Sequence, residues 1–66
     1  MRMMMDKEAD ALYIRLDGAK IVESEEVSDR IILDFDASGR VVGFEMLCVR
    51  QRLPDADLLR VDVQVA

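Results

Sequence analysis

The sequence predicts a mainly β fold, small α+β at most: an antiparallel meander of five or six strands with at most a short helical turn near residues 50–53. Three observations predict it. Apolar residues alternate with polar ones at period two, the signature of half-buried strands. Turn-forming pairs punctuate those runs. The only proline, Pro54, stands after the last of the clear ones.

The Met-rich start, Met3 to Met5, is the first strand. Asp6 to Asp10 is a polar break before the next. There Leu12, Ile14 and Leu16 alternate with Tyr13, Arg15 and Asp17, and Leu12 and Ile14 are expected opposite Met5 and Met3. Asp17-Gly18 is a strong hairpin signal. Ile21 to Val27 carries Glu23, Glu25 and Glu26 and is read as a charged strand, since such charge protects a sheet edge from pairing with another chain. Ser28-Asp29 and Ser38-Gly39 are further turns.

Strands 31–36 and 41–46 form the best-specified hairpin. With Asp36 opposite Val41, Phe35 faces Val42, Leu33 faces Phe44 and Ile31 faces Met46, so all three apolar pairs share one face. A one-residue slip would set Ile31 against Glu45 and lose that face. Arg50 to Leu53 reads as a helical turn stopped by Pro54. Leu59, Val61, Val63 and Val65 alternate again, as a sixth strand; a helix from Asp55, with Leu58, Val61 and Val65 on one stripe, is the alternative.

At 66 residues the chain is one small domain, 1–66, with a generous 52% of hydrophobic residues. So short a chain buries about 60% of its unfolded surface, which leaves it marginal. A single sheet cannot hide its own apolar face. The expected remedy is a homodimer. Cys48 stands alone, so no disulfide forms within the chain, and a lone thiol fits a reducing cytoplasm. No histidine is present, which leaves a poor ligand set for zinc. No cofactor is implied. No apolar run approaches the ~20 residues of a membrane span, and Asp6, Lys7 and Glu8 interrupt the start too soon for a signal peptide. Residues 21–45 hold seven acidic groups against two basic ones, the whole excess behind the net charge of −5. Phosphate backbones would be repelled, so no nucleic-acid role is expected of the chain on its own.

One segment resembles a calcium loop. From Asp34 to Glu45, oxygen donors stand at positions one, three, five and twelve (Asp34, Asp36, Ser38, Glu45) with Gly39 at six. That loop must lie between helices, however, and both flanks here have strand period. In the hairpin register Glu45 lies opposite Ile32, too far along to close the loop. Turn chemistry accounts for the Asp, Ser and Gly residues. Asp34 and Asp36, about 7 Å apart by strand rise, read as a solvated face. Cys48 reads as a small buried hydrophobe, there being no histidine to activate it. No catalytic residue is assigned, and an enzyme with its site at a dimer interface is the least favoured class.

Residues 4–53 also resemble a known family. Asp6-Lys7-Glu8-Ala9-Asp10-Ala11-Leu12-Tyr13-Ile14, Glu23-Ser24-Glu25-Glu26-Val27, Ile32-Leu33-Asp34-Phe35-Asp36 and Gly39-Arg40-Val41-Val42-Gly43-Phe44-Glu45 are similar, in order and spacing, to the small bacterial and archaeal proteins called domain of unknown function 2283. The resemblance implies a short β-meander, no established catalytic residues, and antitoxin-like partnership in some members. Residues 54–66 lie beyond that pattern. The expected function is a self-associating protein-interaction module, with calcium binding as the alternative.

Overall fold

The computed structural model describes all residues, Met1–Ala66. Five strands and one helical turn follow in chain order: β1 (Arg2–Asp6), β2 (Ala11–Arg15), β3 (Glu23–Ser28), β4 (Ile31–Phe35), β5 (Val41–Leu47) and α1 (Val49–Arg52). All pairings are antiparallel, in one open sheet of order β1-β2-β5-β4-β3. The mainly β class and the short helical turn before Pro54 are therefore present. The strand order is not that of a simple meander. Strand β5 inserts between β2 and β4, joining a β1–β2 hairpin to a β3–β4–β5 unit.

That insertion changes the meaning of Asp17-Gly18. These residues close no hairpin, because β2 and β3 are not neighbours. Residues 16–22 instead cross the end of the sheet. Leu16 and Asp17 N–H donate to the Val42 carbonyl (2.8 and 3.4 Å), and Val22 N–H, just before β3, donates to the Phe35 carbonyl of β4 (2.9 Å). The β1–β2 turn is the polar break at Asp6: Asp6 Oδ1 accepts from Glu8 and Ala9 N–H, both at 3.0 Å. Met3 faces Ile14 and Met5 faces Leu12, as the alternation requires.

In the β4–β5 hairpin, Ile31 faces Met46, Leu33 faces Phe44 and Glu45 lies opposite Ile32. The expected Phe35–Val42 and Asp36–Val41 pairs are corrected: Phe35 faces Val41, because a bulge intervenes between Asp34 and Phe35. Val42 is the extra residue. Its side chain is 1% exposed, and its carbonyl serves the 16–22 crossing instead of the ladder. Strand β3 is exposed throughout and forms one sheet edge, so its glutamates guard that edge against pairing with another chain.

Asp36 organises the β4–β5 turn. Its Oδ1 accepts from Ser38 and Arg40 N–H (2.9 and 3.0 Å), its Oδ2 accepts from Arg40 Nε (2.9 Å), and Gly39 takes φ 79°. The Arg40 backbone N–H is the main cause that holds the Asp36 carboxyl below its ordinary value of 3.8; burial opposes it. A depressed pKa contributes stability that is present above the ordinary value and lost as pH falls below it. Asp36→Asn is therefore expected to flatten the acid limb of the stability–pH curve below about pH 4, read by urea midpoints at successive pH values. An unchanged limb would show that the turn does not depend on the charge.

Residues 59–65 form neither the sixth strand nor the helix from Asp55. Leu59, Val61, Val63 and Val65 are all exposed. The reason is that no sheet edge takes them up, and alternation alone does not make a strand without a partner. Of the tail only Leu58 is half-buried. It lines one cleft with Met5, Lys7 and Arg50, and another with Met3 and Leu12, so the tail lies over the β1–β2 half of the sheet. No helix is long and apolar enough to cross a membrane.

Candidate functional site

The pairings divide the sheet into two faces. Met3, Met5, Leu12, Ile14, Phe44, Met46, Ile31 and Leu33 share one by register. Arg15, Tyr13, Gly43, Glu45, Asp34 and Ser24 share the other. The core between them is slight. Ala11, Val42 and Val49 are the only fully buried hydrophobic residues. Val49 N–H donates to the Asp10 carbonyl (3.1 Å), and Arg50 Nε and N–H both reach Asp10 Oδ1 (3.1 and 3.2 Å). The helical turn is thus latched onto the β1–β2 turn, some forty residues back along the chain.

The polar face carries a built network. Asp34 is 8% exposed. Its Oδ2 accepts from the Tyr13 hydroxyl (2.7 Å) and its Oδ1 from the Ser24 hydroxyl (2.6 Å). Three strands, β2, β4 and β3, therefore meet through one carboxylate. Gly43 makes this possible. It pairs with Asp34 on one side and with Arg15 on the other, so its missing side chain leaves the path along which Tyr13 reaches across β5. A Cβ at Gly43 would stand 2.6 Å from Asp34 Oδ2 and 2.7 Å from the Tyr13 hydroxyl. The hydrogen bond to Asp34, then burial, raises the Tyr13 phenol above its ordinary 10.0, with neighbouring Arg15 pulling the other way.

The calcium pattern is not assembled. Asp34 is committed to Tyr13 and Ser24, Asp36 to its own turn, and Glu45 lies beside Tyr13 on β2 and Ile32 on β4. No three carboxylates or thiols converge as metal ligands anywhere. Asp34 and Asp36 are also not the solvated pair expected of them: both are buried, since each has donors to satisfy it. Cys48 is half-buried rather than a core hydrophobe. It takes a left-handed φ of 56° ahead of α1 and accepts from Arg30 Nη1 at 3.0 Å.

Residues 5–50 of the chain match the family model described as protein of unknown function (DUF2283). The chain belongs to this family. No curated protein and no solved structure matches it. The DUF2283 region runs from the end of β1 to the first residues of α1, so it holds every member of the Tyr13–Asp34–Ser24 network and Gly43. The tail lies outside it.

The sequence pointed to Asp34 for a reason the structure replaces, and passed over Ser24, Gly43 and Arg15 as a group. The signal was partly present. The hairpin register already set Asp34 opposite Gly43. What was missing was the β2–β5 pairing, which brings Tyr13 and Arg15 alongside.

Proposed function

We propose that this DUF2283 protein is a self-associating interaction module whose apolar sheet face is closed by a second copy of the same chain. One observation carries the reading. Ile31, Leu33, Phe35, Phe44 and Met46 are only half-buried in a single open sheet, and the tail lies over the opposite, β1–β2 half. A layer of half-exposed large hydrophobics is stable in water when a second layer covers it. With three buried hydrophobic residues the single chain has little else to hold it. Glu23 and Glu25 pair with Phe35 and Leu33 at the margin of this face, where they supply the charged rim of an interface with an apolar centre.

Light scattering after gel filtration is expected to give twice the 7.5 kDa chain mass. Leu33→Glu places a charge at the centre of the face and is expected to give the single-chain mass with the β-sheet circular dichroism retained. A wild-type mass of 7.5 kDa throughout the micromolar range would refute self-association.

A further inference from the structure

We propose that the cleft at the open end of the β1–β2 hairpin binds a phosphate monoester between Arg2 and Arg15. The chain has seven arginines. Five have a carboxylate within 4.0 Å: Arg30, Arg40, Arg50, Arg52 and Arg60. Arg2 and Arg15 have none, in a chain where acids outnumber bases fourteen to nine. These two are also direct cross-strand partners. Like charges directly opposite each other destabilise a strand pair, so the arrangement calls for a counter-charge between them.

The two arginines line one open cleft of about 340 Å³ with Met1, Asp17 and Gly18. Arg15 is fixed in place: Nη2 donates to the Ala19 carbonyl, and the Tyr13 hydroxyl lies beside the guanidinium. Its other terminal nitrogen, Nη1, is buried and has no hydrogen-bond partner. With no accessible surface, Nη1 is not itself a contact for a ligand in the cleft, but it leaves the guanidinium charge without a partner inside the protein. The one acid of the cleft, Asp17, does not answer it. Its Oδ1 accepts from Ala19 N–H (2.8 Å) and its Oδ2 faces Arg40 (4.0 Å).

The donor set defines the ligand chemistry. The Arg2 guanidinium fork matches the oxygens of an oxyanion and binds them in paired hydrogen bonds, and Arg15 adds its charge beside it. Two guanidinium charges, offset in part by Asp17 of the same cleft, favour a phosphate monoester, which carries about −1.5 to −2 at neutral pH. The volume exceeds what an oxyanion fills and reaches the lower range of ligand pockets, about 300 Å³, which leaves room for the organic group. A nucleic-acid strand is a poor occupant, because the acidic β3 edge and the net charge of −5 repel a polyanion. Arg15 pairs with Gly43, on the polar side of the sheet. The site is therefore independent of self-association through the apolar face.

Nuclear magnetic resonance of the full chain, titrated with glycerol phosphate and separately with inorganic phosphate, tests the assignment. Saturable shifts at the Arg2 and Arg15 side-chain N–H signals are expected, with glycerol phosphate the tighter ligand. Arg2→Gln, at an exposed strand end, is expected to weaken binding about tenfold or more, and Arg60→Gln to leave it unchanged. No saturable shift at millimolar glycerol phosphate would overturn the proposal. So would equal affinity of wild type and Arg2→Gln. Inorganic phosphate binding as tightly as glycerol phosphate would overturn the monoester as the ligand class.

Discussion

Gly43→Ala is expected to lower stability by about 3 kcal/mol. The new Cβ would lie 2.6 Å from Asp34 Oδ2, 2.7 Å from the Tyr13 hydroxyl and 3.1 Å from Asp34 Cβ. The first two atoms are the two ends of one hydrogen bond, 2.7 Å long. A methyl group cannot enter without parting them. The cost therefore has two sources: overpacking, about 1–3 kcal/mol, and a broken bond to a buried carboxylate, about 1.5–3 kcal/mol. A chain of this size has a total stability of roughly 3–10 kcal/mol, so the effect is a large share of the whole. Urea unfolding at pH 7 measures it. Gly18→Ala is the control, because a Cβ there meets nothing within 4 Å. The same substitution at Gly43 is expected to cost less in an Asp34→Ala background, since the nearest oxygen is gone. Additive losses would show that the crowding lies elsewhere.

The fold was legible where its causes are local. Alternation located β2, β4 and β5, and apolar pairing set Leu33 against Phe44 and Leu12 of β2 against Met5 of β1. The density of glutamates marked β3 as an edge, which it is. What stayed hidden has non-local causes. No turn encodes the β2–β5 pairing, since twenty-five residues, 16–40, separate the two strands. An Asp-Gly pair reads as a hairpin wherever the flanks look like strands, and at Asp17-Gly18 only the sheet order says otherwise. The carbonyl of the bulged Val42 serves the 16–22 crossing, which is itself a product of that order. The tail shows the opposite failure: Leu59 to Val65 has a strand pattern yet pairs with neither sheet edge, β1 or β3.

Asp34 shows the same dependence on non-local neighbours. A carboxylate next to a turn resembles a cation ligand or a solvated charge when its neighbours across the sheet are unknown. With Gly43 beside it and Tyr13 beyond, it is the acceptor that ties three strands together. Its burial is tolerable because two hydroxyls satisfy it. The polar face is therefore a rigid support, and it holds Arg15 next to Tyr13 while the opposite face remains apolar.

Asp34→Ala is expected to cost about 2–3 kcal/mol. It removes the acceptor of both the Tyr13 and Ser24 hydroxyls and unties β3 from the centre of the sheet. The loss is moderated because the carboxylate no longer has to be buried. Asp34→Asn keeps the shape and one acceptor oxygen and is expected to cost about half as much. The alkaline limb of the stability curve separates this account from simple loss of packing. Tyr13 has a phenol raised above 10.0, chiefly by donating to Asp34. A raised folded-state pKa of an acid means that the neutral phenol is favoured by folding. That stability is complete below the ordinary value and disappears as pH rises through the raised one. Wild type is thus expected to lose stability above pH 10, and Tyr13→Phe to lose none of it by this route. In Asp34→Ala the principal cause is absent, so its urea midpoint should be nearly flat over the same window. An alkaline limb as steep in Asp34→Ala as in wild type would mean that Asp34 does not hold the Tyr13 proton, and that the network is not what joins β2 to β4 across Gly43.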